Sequence, residues 1–237
     1  MTSAVPAALT AIGFDADDTL WHNERLYQMT EQHFTRLLDE HAGEALVSSR
    51  LLEAERRNLA IYGYGVKGFT LSMIETALEL TGNKVPPAVI KTILDFGQAM
   101  LRHPVEALPH ARETLQALSG QYRLILISKG DLFDQERKLA QSGLGELFAG
   151  VEIVSEKRAE TYSRVFRRHG DGAERAMMVG NSLKSDVIPA LAAGCWGVHV
   201  PHDLTWALEQ GEEPAGDLRY HRIDHLGHLG RLVGQIT

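Results

Sequence analysis

Five short apolar runs of strand length punctuate this chain, at Ala11–Phe14, Leu124–Ile127, Val151–Val154, Ala176–Val179 and Trp196–Val200. Stretches with helical periodicity separate most of them. Strands that alternate with helices imply an α/β fold with a parallel sheet joined by crossovers. The stretch from Pro109 reads as one crossover helix, with Pro in its first turn, Leu115 and Leu118 three apart, and Gly120 as a stop signal. The segment from about His22 to His103 is different. It carries the helical patterns Leu26–Glu40, Ala45–Leu59 and Thr70–Leu80 with no convincing strand between them, so it reads as an all-helical insertion. Gly63, Gly65 and Gly68 interrupt that block, and Pro86-Pro87 marks a later break. A length of 237 residues suits one core with a smaller insertion. The expected division is 1–20 and 105–237 for the core and 21–104 for the helical domain. Near the C-terminus, Gly211 to Pro214 suits an exposed loop, Tyr220–Ile223 a possible edge strand, and the last residues a short helix.

Charge and cysteine usage narrow the partners. Lys plus Arg number 24 against 31 for Asp plus Glu, a net charge of -7, which gives no support to binding of nucleic acid or an anionic membrane surface. Cys195 is the single cysteine and cannot form an intramolecular disulfide, which fits a reducing compartment. No apolar run approaches the roughly 20 residues of a membrane span, and MTSAVPAALT has no basic region ahead of an apolar one. The expectation is a soluble, cytoplasmic protein.

The chemistry concentrates where strands end. In Gly13-Phe14-Asp15-Ala16-Asp17-Asp18-Thr19-Leu20 an apolar strand runs straight into three carboxylates. The loop after a strand's carboxyl end is where parallel sheets bind ligands. Asp15 and Asp17, two apart, can flank one small site while the backbone carbonyl faces a cation. Such crowding is costly unless a metal or hydrogen bonds compensate. An acidic turn or helix cap explains this segment equally well when it is taken alone. The later strands add weight to the functional reading. Ser128 follows the second run, Lys157 lies shortly after the third, and Asn181 with Asp186 follows the fourth, so four strand ends converge on one edge.

With these residues in place the sequence resembles the haloacid dehalogenase-like hydrolase superfamily, in its subgroup with a helical cap, which implies an α/β fold whose core is a doubly wound, Rossmann-like parallel sheet with an inserted all-helical cap domain. Asp15, Asp17 and Thr19 match the first motif, Ser128 the second, Lys157 the third, and Gly180-Asn181-Ser182 through Asp186 the fourth. The resemblance implies a phosphohydrolase acting on a small phosphorylated metabolite through an aspartyl-phosphate. In it Asp15 is the nucleophile, Asp17 the acid and base, and Lys157 the charge-balancing cation. It also implies Mg²⁺ held by Asp15, the Asp17 carbonyl, Asn181 and Asp186, with Ser128 and Thr19 on the substrate side. Three departures stand out. Asn181 replaces an acid, which predicts weaker metal binding and a larger share for Asp186. Lys129 follows Ser128, where it either joins the phosphate site or points to solvent, and solvent is the preferred reading. Arg158, not proline, follows Lys157, and Lys157 is preferred as the cation facing the site.

The alternatives within the superfamily are haloacid hydrolysis, which has no use for an acid at Asp17, and phosphonate cleavage, for which Lys67 is a candidate by position alone. A non-catalytic binding protein on the same fold is the alternative of another class, and Asn181 is the feature that points to it. Trp21, His22 and Asn23 are expected near the entrance, and Tyr62, Tyr64 and Lys67 on a cap loop. His221, His225 and His228 read as surface residues rather than a zinc site. Met177 and Met178 read as core, Cys195 as a buried small hydrophobe, and Arg167-Arg168 as a helix C-terminal charge pair.

Overall fold

The structure, a computed structural model, describes residues 8–236. Six strands form one sheet: β1 Ala11–Phe14, β2 Arg123–Lys129, β3 Gly150–Val154, β4 Ala176–Gly180, β5 Trp196–His199 and β6 Tyr220–Arg222. Their order is β3-β2-β1-β4-β5-β6 and every pairing is parallel. The order reverses at β1, which lies between β2 and β4, so β1 and β4 flank a topological switch point, the usual ligand crevice of such sheets. The expected edge strand at Tyr220–Ile223 is present as β6.

Helices α1 Glu24–Leu37, α2 Glu44–Tyr62, α3 Val66–Leu80 and α4 Pro87–Arg102 separate β1 from β2. Then follow α5 Ala111–Ser119, α6 Leu132–Ser142, α7 Ala159–His169, α8 Ile188–Ala192 and α9 Leu229–Ile236. The chain divides into two compact units. One takes the sequence up to His22, Val105–Lys129 and everything from Lys138 onward; the other takes Asn23–Pro104 with Gly130–Arg137.

Alternation along the strands builds the first unit. Ile12, Phe14, Leu124, Leu126, Met177 and Val179 pack on one face with Leu115, Leu118, Leu229 and Val233. Ala11, Ile125, Ile127, Ala176 and Met178 pack on the other with Tyr162, Val165, Phe166 and Cys195. Met177, Met178 and Cys195 are therefore core residues, as their sequence setting predicts. Burial alone pushes the Cys195 thiol up to about 12, against the pull of Arg219. Gly13 is needed for packing, since a Cβ there would lie 2.8 Å from Ile127 and from Phe166.

The helical unit has its own core of Phe34, Leu38, Val47, Leu51, Phe69, Met73, Ile93 and Met100. Two sequence readings are corrected here. Pro86-Pro87 is not merely a break, because Pro87 opens α4 at a position whose N–H would have no helical partner in any case. Of the three glycines, Gly63 and Gly65 have positive φ and make the turn, whereas Gly68 lies inside α3, where a Cβ would come 2.9 Å from the Gly63 carbonyl. Lys67 is on the same helix and ion-pairs with Asp131 at 2.9 Å. No described helix is long and apolar enough to cross a membrane.

Candidate active site

Parallel register sets the site. Phe14 is level with Leu126 on β2 and Val179 on β4, so Asp15, Ser128 and Asn181 all emerge from one end of adjacent strands. The Asp15 N–H donates to the Val179 carbonyl at 2.9 Å and holds the nucleophile candidate to β4. Lys157, 5% exposed, inserts between Asp15 and Asp186: its ammonium donates to Asp15 Oδ1 and, at 2.7 Å, to Asp186 Oδ1. Arg158 is exposed at the start of α7, so Lys157 is the cation that turns inward. Burial, then the Asp186 carboxylate, push Asp15 up to about 7, with Lys157 pulling the other way.

Asp17 is held by an indole and an ammonium. The Trp21 indole N–H donates to its Oδ1 at 2.7 Å, and the Lys138 ammonium reaches its two oxygens at 3.0 and 3.1 Å. Trp21 is completely buried, so it anchors Asp17 instead of lining an entrance. Thr19 is also placed differently from the expectation. Its hydroxyl donates to Asp15 Oδ2 at 3.2 Å and accepts the Asn181 backbone N–H at 3.0 Å, which ties the first loop to the fourth and leaves it no donor for substrate.

The Asn181 side-chain amide completes this ring. With its NH₂ turned toward the first loop, it donates to the Asp17 carbonyl at 3.2 Å and to Asp15 Oδ2 at 3.3 Å. Asp186 does not stand free, because Ser182 N donates to its Oδ2 at 3.0 Å while Lys157 takes Oδ1. Gly180 makes room for it: a Cβ there would lie 2.7 Å from Asp186 Cβ and nearer still to the carboxyl group.

Lys129 does not point to solvent. Its ammonium donates to Glu209 Oε1 at 2.5 Å and to Ser185 Oγ at 2.7 Å, and its side chain is 12% exposed. The reason is a half-buried carboxylate from the distant turn Ala207–Glu209, which outcompetes water for the charge. Glu209, Lys138 and the anchoring role of Trp21 are not signalled by the sequence, apart from the four-residue spacing of Asp17 and Trp21.

The C-terminal histidines form a stack and not a ligand set. His110 and His225 rings lie 4.5 Å apart and His225 and His228 4.0 Å apart, while His221 stacks on Trp196. Among the described residues no group of three His, Cys, Asp or Glu side chains is placed to hold a metal. A cation at the strand ends would thus need mixed oxygen donors, and these are present. Asp15 Oδ2, the Asp17 carbonyl and the Asn181 amide converge, and turning that amide over presents its oxygen in place of its NH₂. Hard oxygen donors of this kind suit Mg²⁺.

The sequence profile of the haloacid dehalogenase-like hydrolases matches residues 9–194. The chain belongs to this family. A haloacid dehalogenase-like hydrolase from Xanthomonas campestris, solved by crystallography, is 43% identical with a TM-score of 0.86, covering 97% of this chain and 92% of the other. The glyceraldehyde 3-phosphate phosphatase of Methanothermobacter thermautotrophicus is 26% identical over 95% of this chain and 100% of its own. The L-2-haloacid dehalogenase of Xanthobacter autotrophicus has the same fold, with 19% identity, a TM-score of 0.67 and coverage of 97% and 100%. This haloacid dehalogenase-like hydrolase thus has neighbours of more than one chemistry, and its own residues must decide between them.

Proposed function

We propose that this hydrolase is a Mg²⁺-dependent phosphatase that cleaves a small phosphomonoester through an aspartyl-phosphate. The observation that carries the reading is the Asp17 carboxylate, held beside Asp15 by Trp21 and Lys138. Attack of Asp15 on a haloacid carbon needs no proton donor at this position, whereas a phosphate ester's leaving oxygen does. The relationship to a glyceraldehyde 3-phosphate phosphatase supports the same choice.

In the first step an Asp15 oxygen bonds to phosphorus, the ester P–O bond breaks, and Asp17 gives its proton to the departing alcohol. In the second, water attacks phosphorus, Asp17 takes its proton, and the Asp15–phosphorus linkage breaks to release phosphate. Lys157 offsets the negative charge gathered at Asp15, and Ser128 at the end of β2 hydrogen-bonds the transferring group. A bound Mg²⁺, held by Asp15, the Asp17 carbonyl and Asn181 with Asp186 alongside, supplies the charge that lets an anionic nucleophile meet an anionic ester. The helical unit serves as the cap that selects the leaving group. A cytoplasmic setting suits the single buried thiol, and the net charge of -7 suits a small metabolite better than nucleic acid or a membrane as partner.

Phosphate release from a panel of small phosphate esters, with Mg²⁺ or with chelator and with D15N as the blank, tests this reading. Metal-dependent release that vanishes in D15N is the expected result. Release that persists in clean D15N would remove Asp15 as the nucleophile, and no release from any ester would overturn the phosphatase assignment.

A further inference from the structure

The peptide group between Asn181 and Ser182 serves two residues of the site at once. Its N–H donates to Asp186 Oδ2 at 3.0 Å, and its carbonyl adjoins the Asn181 Cα, from which the amide reaches Asp15 and the Asp17 carbonyl. A peptide is planar, so its N–H and its carbonyl turn together. Whatever holds the carbonyl therefore also aims the N–H at Asp186. That holder is His199, which closes β5 in register with Gly180 on β4 and is 9% exposed. Its Nε2 lies 3.1 Å from the Asn181 carbonyl oxygen, and because a carbonyl can only accept, Nε2 carries the proton and donates.

Two further contacts show why a donor stands here. Thr19 Oγ accepts the Asn181 N–H at 3.0 Å, so the backbone groups on both sides of the Asn181 Cα are fixed, one by the first loop and one by β5. His199 Nδ1 is buried with no hydrogen-bond partner among the described residues, so the bond to Asn181 is the ring's one hydrogen bond to them. An apolar side chain would fill this strand end without leaving a ring nitrogen unpaired. What the imidazole adds is the donor to the Asn181 carbonyl.

We propose that His199 is a positioning residue of this site: through the Asn181–Ser182 peptide it sets the direction of the Asn181 amide and of the N–H that holds Asp186, two groups at the Mg²⁺ position. The inference rests on the phosphatase reading only in placing Mg²⁺ there.

The test is calorimetric titration of Mg²⁺ into the whole protein and into H199M and H199Q, with melting temperatures taken in chelator. Glutamine carries its NH₂ as many bonds from the backbone as Nε2 stands in histidine, whereas methionine has the length without the donor. H199M should bind Mg²⁺ roughly ten- to a hundredfold more weakly, the usual effect of losing an outer partner of a metal site, and H199Q should stay within about threefold of wild type. A merely structural role would lower the melting temperatures in chelator and leave both affinities at the wild-type value, which would overturn the proposal. H199Q as weak as H199M, or no Mg²⁺ binding by the wild type, would also overturn it. If H199M does not fold, H199Q decides alone, and a loss of about tenfold or more in its affinity would overturn the proposal. A wild type that shows this binding pattern but releases no phosphate would refute the phosphatase reading and leave the role of His199 standing. Metal-dependent phosphate release by the wild type, with H199M binding Mg²⁺ just as tightly, would remove His199 alone.

Discussion

Replacing Gly180 by alanine should damage the site through a single carboxylate. Gly180 ends β4 with ordinary backbone angles, so the substitution introduces no conformational strain and tests close approach alone. The new methyl would sit 2.7 Å from Asp186 Cβ, inside the distance that real Cβ atoms tolerate, and its nearest neighbour is a carboxylate with both oxygens already in use. Asp186 must turn away and give up the 2.7 Å bond from Lys157 and the 3.0 Å bond from Ser182 N. Two hydrogen bonds to a charged group are worth about 3–6 kcal/mol together, an upper bound because Lys157 keeps Asp15 as a partner. A loss of about 2–4 kcal/mol is therefore expected, a large share of a typical domain stability of about 5–15 kcal/mol. Guanidinium unfolding of wild type and variant measures it, with G120A as the control. Gly120 has nothing within 4 Å and helical angles, so alanine there should be neutral or stabilising by about 0.4–1 kcal/mol. A G180A protein as stable as wild type, with unchanged Mg²⁺ affinity, would refute the reasoning.

Asn181→Asp should behave oppositely with and without metal. It places a carboxylate against Asp15 Oδ2 and the Asp17 carbonyl, so the melting temperature should fall in chelator and rise more steeply with Mg²⁺, with affinity tightened by about tenfold; equal Mg²⁺ shifts in both proteins would count against Asn181 as a ligand. Lys138→Met removes the ammonium from Asp17 while the Trp21 indole N–H stays on its Oδ1, and should lower kcat by about tenfold or more with little change in KM. An unchanged kcat would show that the Lys138 bond has no part in turnover. Cys195 stays protonated in the fold until about pH 12 but ionises at its ordinary 9.0 once unfolded. Its contribution is full below pH 9 and lost as pH rises toward 12, at about 1.4 kcal/mol per unit. Wild type should therefore lose stability relative to C195A in urea midpoints taken at pH 8, 9.5 and 10.5, and parallel curves would contradict the burial argument.

The sheet and the motif residues were legible because both follow from local pattern. A strand of Ile12 and Phe14 with carboxylates directly behind it can end only at a sheet edge, and register with Leu126 and Val179 brings Ser128 and Asn181 level with it. The helices of the insertion were legible from their period, but Pro86-Pro87 reads only as a break because a proline that opens a helix and one that breaks it look alike without the flanking geometry. Thr19 and Trp21 were misplaced for a different reason. Both can donate to substrate, and only the structure shows that Asp15 and Asp17 have already taken those donors.

What the pattern did not carry is the neutralisation of the charges it revealed. Lys138 reaches Asp17 from 121 residues away and Glu209 reaches Lys129 from 80, one from a helix face and one from a short turn, with no periodicity to mark either. Motif positions are fixed by the backbone that presents them, whereas a compensating charge needs only to arrive within about 3 Å from any element that passes. Lys129 shows the consequence. From the sequence the same residue reads as a phosphate ligand or a solvated surface charge, and in the fold it is half of an ion pair with Glu209. The charge balance around such a site is therefore set partly by its loops, and exchanging the segment around Ala207–Glu209 should loosen the turn Leu183–Val187 while every motif residue stays in the sequence.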